Sequence, residues 1–149
     1  MSRTFFYCQT TNHWPLTTNH YHLPVKTPHI LIVDDEPNIV MSLEFLMRKN
    51  GYQVGIARNG TEALAAIAHA PFDLVLLDVM MPDVDGYQVC QTLRQNPTQA
   101  QAKVIFLSAK SKEADIRKGY EAGADLYLPK PFSTRQLMEK VRELLGVVV

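Results

Sequence analysis

From His29 onward the apolar positions of this chain switch repeatedly between two periods. The unbroken run "ILIV" (30–33) suits a strand covered on both faces. Pro37 then suits a helical first turn, and Ile39, Leu43, Leu46 and Met47 recur at helical spacing until "NG" at 50–51. A second strand is expected at "YQVGIA" (52–57). Asn59 with Glu62 three positions on forms a capping box for a helix carrying Leu64 and Ile67. After Pro71, "DLVLL" (73–77) reads as the third strand. Residues 84–95 read as a helix with Val89, Cys90 and Leu93 inward, closed by "NP" at 96–97. "VIFL" (104–107) is the fourth strand, and a helix from about 112 ends at Gly123, a residue suited to a left-handed C-terminal turn. "DLYL" (125–128) is the fifth strand, and Ser133 with Gln136 opens a last helix carrying Leu137, Val141 and Leu144. Five strand–helix units in succession predict an α/β fold. Its sheet is parallel, its crossovers are right-handed and helices cover both faces.

Residues 1–28 break this pattern. They hold three prolines, the only tryptophan (Trp14) and three of five histidines. "TTNHWPL" (10–16) is followed at once by "TTNHYHL" (17–23). Pro15 and Pro24 rule out a continuous helix through that seven-residue duplication. The segment is expected to be an irregular arm before a domain spanning 29–149. His13, His20 and His22 in it could bind a transition metal, although no cysteine stands at finger-like spacing.

Composition narrows the function. Lys plus Arg equals Asp plus Glu at 15 each, for a formal charge of zero, so there is no basic field for sequence-independent nucleic-acid binding. No apolar run approaches a membrane span, and the start lacks the apolar stretch and cleavage site of a secretory signal. A cytoplasmic chain with Cys8 and Cys90 as free thiols is the expectation.

In an open parallel sheet, ligands gather beyond the carboxyl ends of the strands. There this sequence places Asp34, Asp35 and Glu36 after the first strand and Asp78 after the third. Ser108 follows the fourth strand and Lys130 the fifth. Each has an ordinary reading alone: a helix cap, a loop hydroxyl, a solvated ammonium. Together they suggest a shared site. Aspartates from two strand ends are hard oxygen ligands for Mg²⁺, which offsets their mutual repulsion. A carboxylate facing that metal, Asp78, can act as nucleophile toward a phosphoryl group. Lys130 could spread the developing charge, and Ser108 could donate to a phosphoryl oxygen.

The motifs "ILIVDDEP", "LVLLDVMMPDVDGYQVC", "VIFLSAK" and "GADLYLPKPF" make the chain resemble a response-regulator receiver domain, the phosphoacceptor of two-component signalling, over about residues 29–146. The resemblance implies a flavodoxin-like (βα)5 fold with strand order 2-1-3-4-5. It also implies that Asp78 accepts phosphate from a sensor histidine kinase or a phosphotransfer protein. Asp35 and Asp78 would be direct Mg²⁺ ligands, with Asp34 acting through water and the main-chain carbonyl of Met80 completing the set. Lys130 would bind phosphate and precede a cis proline, Ser108 would be the switch hydroxyl and Tyr127 the switch aromatic. A half-buried strand tyrosine with no signalling role is the alternative for Tyr127. Such a domain is no enzyme beyond self-catalysed phosphotransfer and slow autodephosphorylation.

The expected switch begins when phosphorylation draws Ser108 inward, vacating space into which Tyr127 turns. The surface that changes is the fourth helix, fifth strand and fifth helix, about residues 109–145. A downstream effector protein, or a second copy of the chain, would read that surface. Arg117, Asp125 and Arg135 are candidates for polar contacts in such a homodimer. Because the sequence stops at Val149, a stand-alone regulator without a nucleic-acid or membrane partner is the expectation. Three rivals carry less. A dehalogenase-type phosphotransferase needs a second acid two residues after the nucleophile, where Met80 stands. A calcium loop at "DVDG" (83–86) lacks its remaining ligands, and these residues read as the turn and cap of the third helix. A constitutive docking module would not need all five site residues.

Overall fold

Alternate residues of a strand point to opposite faces, and in this chain both faces are apolar. The computed structural model describes residues 26–146. The elements are β1 (His29–Val33), α1 (Pro37–Lys49), β2 (Gln53–Ala57), α2 (Gly60–His69), β3 (Leu74–Leu77), α3 (Gly86–Gln95), β4 (Lys103–Ser108), α4 (Glu113–Glu121), β5 (Leu126–Pro129) and α5 (Thr134–Leu145). All neighbouring strands are parallel, in the order β2-β1-β3-β4-β5. The fold and strand order agree with the sequence-based expectation.

The two faces build two cores. Leu31, Val33, Val75, Leu77, Val104 and Phe106 pack under α2, α3 and α4, against Ala63, Ile67, Val89, Cys90 and Leu93. Ile30, Ile32, Leu74, Leu76, Ile105 and Leu107 pack under α1 and α5, against Leu43, Met47, Leu137, Met138 and Val141. Full burial of each such aliphatic side chain contributes about 1.5–3 kcal/mol. Within α1, Val40 is buried while Ile39 and Leu46 are only partly covered; in α5, Met138 is buried and Leu144 partly so. All the residues expected on these faces meet this core, and Val40 and Met138 are buried beside them.

The caps set the element ends. Asn59 accepts from the Glu62 N–H and opens α2, and Ser133 accepts from the Gln136 N–H to open α5. Asp85 accepts from the Gln88 N–H, so α3 starts at Gly86 rather than 84. The fourth helix stops at Glu121, and Gly123 follows at φ 110° in the left-handed region. The Lys130–Pro131 peptide is cis, as the resemblance implied.

The last residues before β1 already belong to the sheet's surroundings. The Pro28 carbonyl accepts from the Gln53 N–H, and Lys26 lies 3.8 Å from Asp73. The histidines of the arm, Trp14, Cys8 and the duplication lie outside the described residues. Among the described residues, Cys90 is a buried free thiol. No helix among them is long and apolar enough to cross a membrane.

Candidate functional site

Backbone hydrogen bonds between strand ends bring the acids together. The Asp78 N–H donates to the Val33 carbonyl, one residue before Asp34, at 3.0 Å. The Asp34 N–H donates to Ala57 at 3.2 Å, holding the β1 terminus against β2. Parallel register therefore sets Asp34 beside Asp78 with no help from their side chains. One carboxylate oxygen from each of Asp34, Asp35 and Asp78 lies within 4.8 Å of the others. Asp34 and Asp78 are buried, whereas Asp35 is exposed.

The partners of these acids differ. Asp34 Oδ1 accepts from the Glu36 N–H at 2.9 Å, and its Oδ2 lies 3.2 Å from Lys130 Nζ. Glu36 also lies 3.8 Å from Lys130, a neighbour the sequence reading gave no role. Asp78 has a long contact from the Met80 N–H, at 3.4 Å, and the Val79 N–H also faces its carboxylate. Burial, and then the Asp34 carboxylate, push the Asp78 carboxyl up to about 6, with Lys130 pulling the other way. An acid held near neutrality by burial and a like charge is one that a divalent cation would ionise.

The donor set fits magnesium. Three hard carboxylate oxygens converge from one side, and octahedral Mg²⁺ usually takes one or two carboxylates and keeps several waters. The other side is open: a cleft of about 490 Å³ is lined by Asp35, Met80, Asp85, Tyr87, Lys110 and Lys118, among others. Met80 turns its side chain largely to solvent, so only its backbone has a place at the acids. Two ammonium groups at the rim of this cleft suit an incoming anion.

Ser108 ends β4 opposite Pro129, with no solvent exposure. Its Oγ accepts from the Lys110 N–H at 3.1 Å, and its hydroxyl also lies within hydrogen-bond reach of the Tyr127 hydroxyl. Tyr127 was expected to enter only after Ser108 had moved. Instead its ring is already inside, 5% exposed, with its hydroxyl donating to the Lys110 carbonyl at 2.8 Å. The reason is packing: the ring lies 5.7 Å from Phe106, which lies 5.5 Å from Tyr87 on its other side. The aromatic position thus needs no phosphoryl group to fill it.

Other residues have roles that the sequence reading missed. Asp83 reaches across to α2 and accepts from the Gly60 and Thr61 N–H groups and the Thr61 hydroxyl, which hold its carboxyl well below the usual range. "DVDG" therefore caps two helices rather than one. Asp125 is committed within the chain, to Arg94 at 2.8 Å and to the Val104 N–H. Arg135 faces Glu139 along its own helix at 3.9 Å. Asp125 is thus paired within the chain, whereas the Arg135 side chain stays largely exposed. An acid that caps a helix 22 residues before it in the chain leaves no local signal, which is why Asp83 escaped.

The family model of the response regulator receiver domain matches residues 30–142. The chain belongs to the response-regulator receiver family. This receiver is 42% identical over 116 residues to the transcriptional regulatory protein ResD of Bacillus subtilis (strain 168), covering 78% of this chain and 47% of ResD. It is 44% identical over 117 residues to the probable transcriptional regulator ycf27 of Cyanidium caldarium, covering 78% and 46%. The chain spans about half the length of the curated relatives it matches.

Solved receivers share the architecture. A CheY-like response regulator receiver from Methanospirillum hungatei JF-1 superposes with a TM-score of 0.77 at 32% identity, covering 81% of this chain and 95% of that one. The receiver domain of sensor histidine kinase PA1611 from Pseudomonas aeruginosa PAO1 carries a magnesium ion coordinated in its active-site cleft. It superposes with a TM-score of 0.75 at 27% identity, covering 81% and 99%. Receivers of this family bind Mg²⁺ at an acidic site and pair with histidine kinases in two-component systems. They are signalling domains rather than classical enzymes.

Proposed function

We propose that this receiver accepts a phosphoryl group on Asp78 from the phosphohistidine of a sensor kinase or a phosphotransfer protein. The observation that carries the reading is the convergence of the Asp34, Asp35 and Asp78 oxygens within 4.8 Å, with Lys130 against the same group. Asp35, Asp78 and the Met80 carbonyl would hold Mg²⁺ directly, and Asp34 would hold it through water. Bound magnesium supplies positive charge to the transferring oxygens.

An Asp78 oxygen attacks phosphorus as the N–P bond breaks, and the imidazole leaves with the bonding pair and takes up a proton. Lys130, now tied to Asp34, can swing its ammonium to a phosphoryl oxygen. Ser108 would turn its hydroxyl proton to another. A charge-assisted hydrogen bond contributes about 1.5–3 kcal/mol, a shift of about 10- to 150-fold in a two-state equilibrium. Because Tyr127 is already inward, the phosphoryl group would lock a filled arrangement rather than open a new one.

The readout surface is proposed to be α4, β5 and α5, acting on an effector protein or a second copy. ResD and ycf27 are named as transcriptional regulators. That supports control of transcription as the eventual output, over the expectation of a stand-alone module. The whole of residues 29–149 is taken as the receiver unit, in the cytoplasm.

Titration calorimetry tests the metal assignment. Asp35→Asn should weaken Mg²⁺ binding at least tenfold, while Lys130→Ala should retain or tighten it yet lose the response to phosphorylation. Unchanged Mg²⁺ affinity in Asp35→Asn would remove Asp35 from the ligand set.

A further inference from the structure

Gly119 lies inside α4, where glycine is the least favourable residue after proline, so its presence calls for a reason. Backbone conformation does not provide one. Positive φ occurs among the described residues only at Gly51, Gly123 and Gly146. Packing does provide one. A methyl group built on Gly119 would sit 2.6 Å from Tyr127 Cδ2, 3.0 Å from its Cε2 and 3.3 Å from Phe106 Cδ2. The first distance is far inside van der Waals contact, and the obstacle is the body of a ring rather than a flexible chain end.

The ring cannot simply slide away. Its hydroxyl donates to the Lys110 carbonyl at 2.8 Å, while the Tyr127 N–H donates to the Tyr120 hydroxyl at 3.2 Å. Tyr127 is thus held at its backbone and at its tip, against a helix surface that is flat at one residue. We propose that Gly119 is the positioning residue for Tyr127: the missing side chain admits the ring beneath α4, and a methyl there turns it toward solvent. The placement stands on geometry alone; its signalling consequence rests on the proposed role of Tyr127 above.

Three variants test this. Substitution of helix-interior glycine by alanine ordinarily stabilises, so Gly119→Ala should raise Tm when Tyr127 is absent, in the Tyr127→Ala background. With Tyr127 present the same change should lower Tm. Tyrosine nitration mapped by mass spectrometry gives the local readout. In the wild type Tyr120, 45% exposed, should react while the buried Tyr87 and Tyr127 stay protected. In Gly119→Ala, Tyr127 should react at least fivefold faster while Tyr87 stays protected and Cys90 stays closed to thiol reagents, which separates ring displacement from general loosening. Equal Tm gains in both backgrounds, or an unchanged Tyr127 nitration rate, would overturn the proposal. Beryllofluoride with Mg²⁺ then separates it from the switch. A displaced ring with weakened beryllofluoride binding supports both. A displaced ring with unchanged binding keeps the positioning role of Gly119 and refutes the coupling of Tyr127 to the acids.

Discussion

Asp78 is the residue at which function and stability oppose each other. Its carboxyl is buried beside Asp34 and shifted to about 6, above its ordinary value of 3.8. A folded-state value above the unfolded one means that the native state holds the proton more tightly. In metal-free buffer, stability from this group is therefore present at pH 4 and lost as pH rises through about 6. The loss should be about 1–2 kcal/mol once screening through the open cleft is allowed for. Asp78→Asn should accordingly raise Tm in chelator much more at pH 7.5 than at pH 4, read by differential scanning calorimetry. Added Mg²⁺ should stabilise the wild type more at pH 7.5 than at pH 5. Cys90 is shifted the same way: burial pushes its thiol up to about 11, so it should resist alkylation at pH 8 until the protein unfolds. Sequence alone identified both residues, since an acid and a thiol directly follow or sit within apolar runs. It could not reveal which neighbours set their protonation.

Among the elements, the junction between β3 and α3 carries the most constraint. A methyl on Gly86 would lie 2.3 Å from the Asp78 carbonyl oxygen and 3.0 Å from the Phe106 ring. Gly86→Ala should thus force the loop bearing Asp78 to move, cost about 1–3 kcal/mol and weaken Mg²⁺ binding together. Calorimetry and metal titration on one preparation check both. Asp83 ties this loop to the start of α2, so Asp83→Ala should lower Tm and leave the far edge at β5 undisturbed in amide exchange. The elements themselves were legible because apolar runs and caps such as Asn59 and Ser133 act locally. The burial of Val40 and Met138 was not, because each adjoins a residue already assigned to the core stripe. The inward Tyr127 was missed for a related reason: nothing along the chain says that Gly119 leaves room for it.

At the scale of the molecule, parallel register does the assembling. It carries four residues from β1, β3 and β5 termini to one edge, where Asp34, Asp35, Asp78 and Lys130 share a few ångströms. That convergence was readable in advance, because a parallel sheet sends every strand end to the same side. The pairing of Asp125 was not, because its partner Arg94 lies 31 residues away in the chain. The most direct test is mass-mapped phosphorylation by a small phosphodonor, with and without Mg²⁺. The account predicts a single modified peptide, carrying the phosphoryl group on Asp78 only when Mg²⁺ is present and absent from Asp78→Asn. Labelling that persists in Asp78→Asn, or that proceeds equally well in chelator, would contradict it.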